Sequence, residues 1–447
     1  MSEQLQPLGV GIPNEAGWPK KTLDELCTLI SRGTAPVYVE SSSVLAIGQR
    51  CVTTSRFAPE FARPHSERAM RNVLRPESGD VLLNSTGTGT IGRSVVFDHD
   101  GTFIVDGHVT VLRPKPESAD GRWLNTVLRT SWGQRHLERF CYAGSTNQLE
   151  LSRTPVKASM LPVPSLAEQH AIAQILDTLD TAIRETEALI DKLKAVKQGL
   201  LHDLLTRGID ANDQLRPPQS EAPQLYKESP LGWIPREWET TLLGACTSWS
   251  SGGTPSRAVA SYWKGDVPLL TPKDMKSFEL NDTIEHVSAA AANSGSRLMP
   301  AGTVFIVVRG MILAHSFPVV LAAGPMAFNQ DVKAISAGAQ LDPRFLAYWL
   351  VANTDGFLRK VTEATHGTKK LDMENLVGFP IGLPSLQEQA AITARLEAVS
   401  DKYATETEYL SQLSEMKTGL MDDLLTGRVR VTPLLESVQQ PAAPTGA

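Results

Sequence analysis

One amphipathic stretch occurs twice in this chain, and that constrains the fold more than any other feature. Pro164, Ser165, Leu166, Glu168, Gln169, Ala171 and Ile172 return 220 positions later as Pro384, Ser385, Leu386, Glu388, Gln389, Ala391 and Ile392. The apolar spacing repeats more faithfully than the letters. In the first copy Ile172, Leu176, Leu179, Ile183, Thr186, Ile190, Leu193, Lys197, Leu200 and Leu204 alternate in steps of four and three. That is a heptad seam, the pattern of helices packed as a coiled coil. The second copy carries Ile392, Leu396, Val399, Tyr403, Glu406, Leu410, Leu413, Lys417, Leu420 and Leu424 at the same offset, so both polar interruptions recur. Polar seam residues cost stability but can specify register and partner number. Each stretch spans roughly 40 residues, a rod of roughly 60 Å at 1.5 Å per residue. A homodimeric zipper or a plain core helix would not need the large segments between the copies. The two helices therefore read as partners within one chain.

Those large segments also look duplicated. Gly79, Val81, Leu82 and Gly87 correspond to Gly302, Val304, Phe305 and Gly310, and DGHVTVL from Asp106 matches NQDVKAI from Asn329. Gly17 and Trp18 open the first half as Gly232 and Trp233 open the second. Short β-branched runs punctuated by Gly, Ser and Thr predict strands: VLLN, SVVF and HVTVL in the first half, TVFIVV, FPVVL and DVKAI in the second. Helices are expected near Trp123 to Phe140 and Pro343 to Val361. The halves read as α+β, in the order globular, helix, globular, helix. The expected boundaries are a first globular domain at 1–163, a first long helix at 164–208, a linker at 209–230, a second globular domain at 231–383, a second long helix at 384–430 and a disordered tail at 431–447. The linker rests on the Pro-, Asp-, Asn- and Ser-rich run after Leu205, the tail on QQPAAPTGA.

Composition narrows the class. A chain of 447 residues can bury two cores beside the helices. Cys27, Cys51, Cys141 and Cys246 lie far apart without CxxC spacing and no secretory leader pattern precedes them, so neither disulfides nor a structural zinc are expected. No apolar run reaches membrane-span length and mean hydropathy is −0.15; the expected compartment is the cytoplasm, with no membrane partner. A net charge of −6 argues against a uniformly basic nucleic-acid binder but not against local patches. Fourteen arginines stand against three lysines between Met1 and Thr154, and arginine's planar fork suits phosphate and guanine as well as surface acids.

The phrases LPSLQEQAAI from Leu383, KTGLMDDLLTGRVRV from Lys417 and LGWIPREWE from Leu231, together with the half-chain repeat, resemble the specificity subunit of Type I restriction-modification systems. The resemblance covers nearly the whole chain and is strongest at the helix ends and at the start of the second half. The first copy departs from it by opening with GWPKKTLDEL and ending with LLTRGID. The resemblance implies two target recognition domains, each reading one half of a split DNA sequence, separated by two long helices that pair as an antiparallel coiled coil in an internal pseudo-two-fold repeat. Because the domains differ, the target would be bipartite and asymmetric. It also implies that methyltransferase subunits, two of them, dock on the helices and modify adenine N6 with S-adenosylmethionine. A translocating restriction subunit would add ATP- and Mg-dependent cleavage, so those cofactors would belong to partners and none to this chain.

The residues agree that catalysis lies elsewhere. There is no Asp/Asn/Ser-Pro-Pro motif followed by Tyr, Phe or Trp, no GxxxxGKS or GxxxxGKT loop, and no HExxH. STGTGTIG, from Ser85 to Gly92, reads as a turn between strands whose amides could meet a phosphate. His108 beside Asp106 lacks a placed nucleophile and reads as structural. No catalytic residue and no metal ligand is therefore assigned, and a self-contained nuclease finds no PDxxxK-like pattern in ELNDTIE from Glu279. Candidate DNA contacts fall in three loop regions of each half. These are Gln49 and Arg50, with Lys273 and Asp274; Ser85, Thr86, Thr88, Thr90 and Arg93, with Arg309 and Gly310; and Ser145, Thr146, Asn147 and Gln148, with Thr365, His366, Thr368, Lys369 and Lys370. Two alternatives stay open: the recognition subunit of a Type II enzyme with a split site, and a coiled-coil scaffold that does not bind DNA.

Overall fold

The structure is a computed structural model that describes residues 12–144, 149–363 and 367–432. It divides into two compact units, one of Met1–Glu187 with Glu408–Ala447 and one of Ala188–Thr407. The cut runs through both long helices, which extend over Leu166–Thr206 and Leu386–Thr426. Each unit thus holds one globular domain, the N-terminal half of one long helix and the C-terminal half of the other.

In the first unit, strands Cys27–Arg32, Val109–Pro114, Val81–Asn84 and Ser94–Val96 form one antiparallel sheet in that order. A second sheet sets Val44–Ile47 between Arg63–His65, antiparallel, and Thr102–Val105, parallel. The second unit repeats both orders. Thr247–Ser251, Val332–Ala337, Val304–Val307 and Val319–Ala322 are neighbours, extended by Glu279–Leu280. Val267–Leu270 lies between His286–Val287 and the parallel strand Met326–Phe328. Val81–Asn84 and Val304–Val307 are buried throughout, so a continuous apolar run rather than alternation is what their central positions select.

Both predicted helical regions are interrupted, and the first continues past its break into a further helical turn at Leu137–Cys141. Gly121–Arg129 and Ser131–His136 meet at Thr130, whose hydroxyl accepts from Gly133 N–H. Pro343–Ala352 and Thr354–Leu358 meet at Asn353. Asp120 and Asp342 cap the first member of each pair by accepting from two backbone N–H groups.

The repeated letters of the long helices have a packing reason. Gln169 accepts from Asp120 N–H at 2.9 Å and donates to the Ser118 and Pro164 carbonyls. Gln389 accepts from Asp342 N–H at 2.8 Å and donates to the Gln340 and Pro384 carbonyls. Both amides are fully buried, so each long helix is seated on its domain by one saturated side chain. Both helices end at a glycine in the left-handed region, Gly208 at φ 65° and Gly427 at φ 76°. A β-carbon on Gly208 would lie 2.2 Å from the Glu388 carboxylate.

Along both seams the apolar side chains are turned inward. In the first unit Ile172, Leu176 and Leu179 join one cluster with Leu420, Leu424 and Leu425, and Lys417 donates to Asp180. In the second, Leu200 and Leu204 share a cluster with Ile392 and Leu396. Ile190 and Leu413 are buried, while Ile183, Leu193, Val399, Tyr403 and Leu410 are half-buried.

Two expectations need correction. The segment 209–230 is no loose linker: Ile209, Arg216, Ala222 and Tyr226 are buried, and Tyr226–Ser229 pairs with Gly232–Pro235 as a hairpin. Arg216 bonds Glu388 at 2.5 Å and Glu237 at 2.8 Å, and the Tyr226 hydroxyl donates to the Pro217 carbonyl at 2.6 Å. The tail does not begin at 431 either, since Val431 is buried and Thr432 donates to Glu168 at 3.2 Å; residues 433–447 lie outside the described residues.

Candidate nucleic-acid interface

In the first unit the loop after Val81–Asn84 folds back on itself. Gly92 N–H donates to Asn84 O, and both Thr90 and Ile91 N–H donate to Gly87 O. Gly87 and Gly92 have φ of 97° and 85°. A β-carbon at Gly87 would come within 2.4 Å of Gln49 and one at Gly92 within 2.4 Å of Tyr142. The glycines of STGTGTIG therefore serve a tight turn between strands, as its spacing predicts.

That turn gathers part of the expected site. Gln49 donates to the Thr86 hydroxyl at 2.6 Å and accepts from Thr90 at 3.2 Å. The Thr86 hydroxyl also meets His108 Nδ1 at 2.8 Å. Asn84, fully buried, holds the Gln49 and Val52 carbonyls. The third region joins at its base: Leu151 N–H donates to Ser85 O at 2.7 Å and Thr86 bridges Glu150. Ser145, Thr146, Asn147 and Gln148 themselves lie outside the described residues. Thr88 is exposed. Arg50 is exposed with its guanidinium 4.6 Å from the Phe61 ring centroid. Arg93, half-buried, folds back along its own loop to the exposed Gly89 carbonyl at 2.7 Å.

In the second unit Arg309 bridges Lys370, and Gly310 N–H donates to Lys369 O at 2.9 Å. This unites the second and third regions. Arg309 is exposed and makes no ion pair among the described residues. Lys369 and Lys370 pair with Glu363 at 2.7 Å and Asp372 at 3.0 Å. Lys273 is exposed and Thr368 half-buried, whereas Thr365 and His366 lie outside the described residues.

Two expected contacts are spent inside the protein. Ser85 is fully buried and bonds Thr110 and the Leu83 carbonyl. Asp274 uses both carboxylate oxygens, one for Thr271 and one for Ile284 N–H. Conversely, exposed His108 reaches the polar cluster, although the sequence reads as structural there. Its neighbour Asp106 has the structural role: it accepts from His108 N–H at 2.7 Å, and burial pushes its carboxyl above the ordinary range. Position in the chain could not reveal these differences, because they depend on which way each loop residue faces.

The arginine-rich surface is mixed. Arg32, Arg56, Arg113, Arg122 and Arg129 pair with acids. Among the described residues Arg50, Arg63, Arg68, Arg71, Arg75, Arg93, Arg135, Arg139 and Arg153 make no ion pair. Among the described residues no group of three or more His, Cys, Asp or Glu is placed to hold a metal, and no helix is long and apolar enough to cross a membrane.

Comparison with known proteins bears on this geometry. The family signature described as Type I restriction modification DNA specificity domain matches twice, over residues 15–195 and 235–415. The MjaX type I restriction enzyme specificity subunit of Methanocaldococcus jannaschii is 25% identical over 362 residues, 79% of each chain. The EcoR124I/EcoR124II specificity subunit of Escherichia coli is 25% identical over 292 residues, 65% of this chain and 64% of that one, so the match spans just under two thirds of its length. The crystal structure of a type I restriction-modification S subunit from M. genitalium aligns with a TM-score of 0.54 at 15% identity, covering 94% of this chain and 99% of that one; at that identity the likeness speaks to fold. With both halves matched, the chain belongs to the type I restriction-modification DNA specificity family.

Proposed function

We propose that this chain is the DNA-reading subunit of a type I restriction-modification complex. Each domain reads one half of a bipartite, asymmetric duplex site, and the chain directs methyltransferase and restriction subunits there while catalysing nothing itself. The observation that carries this reading is one strand order bearing two unlike sets of loops. A shared scaffold presents equivalent positions, and different side chains at those positions select different bases.

The two long helices form an antiparallel coiled coil related by a pseudo-two-fold axis. Supporting this, Glu168 at the start of the first helix bonds Arg430, just beyond the second. Glu388 at the start of the second bonds Arg216, just beyond the first. The outer faces repeat too: Leu189 and Val196 on one helix, Tyr409 and Met416 on the other, stand exposed at equivalent positions seven residues apart. Two like apolar pairs suit two copies of a methyltransferase subunit. S-adenosylmethionine, ATP and Mg would be bound by the partners.

The test is co-expression with the methyltransferase encoded beside this chain, followed by single-molecule mapping of N6-methyladenine with and without it. The expected result is a chain-dependent motif of two unlike half-sites around a fixed gap. Methylation independent of the chain, or in one continuous motif, would overturn the reading.

A further inference from the structure

Within the second domain, the loop joining Val304–Val307 to Val319–Ala322 carries at its tip a short turn, Met311–Ala314. Leu313 is buried and anchors that turn, whereas Met311 is 63% exposed and Ile312 37%. An apolar pair standing out of a turn gains nothing from water but would gain by burial against an apolar partner. One unpaired cation stands beside it: exposed Arg309, two residues before Met311, makes no ion pair among the described residues, while the strand of Lys369 and Lys370, which pair with Glu363 and Asp372, holds Gly310 by a backbone hydrogen bond. The corresponding loop of the first domain presents Thr88 at its exposed tip and ties Thr86 and Thr90 to Gln49.

We infer that Met311, with Ile312 beside it, contacts the C5 methyl group of a thymine in the half-site that the second domain reads. Apolar side chains recognise that methyl in the major groove, where it distinguishes thymine from every other base. The free guanidinium of Arg309 beside the turn matches a flanking phosphate and favours duplex DNA over an apolar protein partner. The inference rests on the DNA-reading function proposed above and adds the chemistry by which one domain reads its half.

The test uses the assembled complex with its methyltransferase subunits and synthetic duplexes carrying the methylated motif sequence. Each thymine is replaced in turn by deoxyuridine, which removes only the methyl, and affinity is measured at constant salt. One thymine in one half-site should become sensitive, its loss weakening binding about fourfold, the effect of burying one methyl. Met311→Ala should erase that sensitivity while leaving the other half-site unchanged, and Ile312→Ala should do so in part. If no thymine is sensitive, or if the sensitivity survives in both variants, the inference is overturned. Absence of any site-specific binding by the wild-type complex would instead sink the DNA-reading function, and this inference with it.

Discussion

Both long helices begin with the same letters, yet the glutamate in the first turn of each is held differently. Glu168 closes a capping box with Ser165, its carboxylate accepting from Ser165 N–H at 3.2 Å while Glu168 N–H donates to the Ser165 hydroxyl. Its other oxygen takes Arg430, whose side chain is 43% exposed. Burial works to raise the Glu168 carboxyl, but Arg430 and Ser165 outweigh it and hold the group below the usual range. Glu388 leaves its box half-made. Ser385 still accepts from Glu388 N–H, but the carboxylate turns to Arg216, Trp238 Nε1 and Ile209 N–H. Arg216 is 7% exposed. The same residue type thus serves helix capping at one end and a buried charge pair at the other. Burial of the partner decides how much each depends on its arginine.

The largest expected effect tests the pairing of the helices themselves. Replacing Leu193 and Leu413 with Asp should abolish assembly with the methyltransferase subunit, because each change removes an apolar side chain from the seam and brings a charge into its place. Leu413, the more buried of the two, should account for most of the loss; unchanged co-purification of the double variant would refute the seam.

Next comes the contrast between the two glutamates. Arg216→Ala removes the buried cation of Glu388, leaving it only the Trp238 and Ile209 N–H groups, and should cost about 3–5 kcal/mol. Arg430→Ala should cost about 1–2 kcal/mol, since Ser165 still satisfies Glu168. Urea unfolding of the two variants measures the difference, and equal losses would erase the distinction. The Glu168 contribution should be present above pH 4.5 and lost as pH falls below it, the behaviour of a carboxylate whose folded pKa is depressed.

A comparable contrast separates the domains. Arg309→Ala should cost about 1–3 kcal/mol of binding and relax one half-site while sparing the other. Loss of both halves in the methylation map would point to misfolding instead.

The smallest effect concerns the seam lysines. Lys417 meets Asp180, but Lys197 at the equivalent place makes no ion pair among the described residues, Ser400 standing where the first helix has Asp180. Burial lowers the Lys197 pKa from 10.5, so the unfolded chain binds more protons and stability rises with pH through that window. Lys197→Met should raise the unfolding temperature slightly at pH 7, and that advantage should shrink as pH approaches 10.5. Thermal unfolding at pH 7 and pH 10 tests this, and a gain that stays constant across that range would contradict it.

What was legible in the sequence followed local periodicity. The heptad seam marked both long helices, and apolar runs such as VLLN and TVFIVV marked the central strands, because side-chain direction along a regular element repeats every few residues. Side chains whose roles depend on distant partners were not legible. Ser85 and Asp274 look like free loop polars, yet Thr110 and Ile284 consume them. Met311 and Ile312 resemble the core residue Leu313 that follows them, and only the turn's direction leaves them exposed.

By itself, then, the sequence determined the duplication, the two helices and the α+β character of the halves. The tertiary structure decided that each compact unit takes half of both helices, and that the Pro-rich segment after the first helix is packed. The physical reason is separation along the chain. Helix and strand patterns arise from neighbours a few residues apart, whereas Arg216 and Glu388, 172 residues apart, meet only after folding.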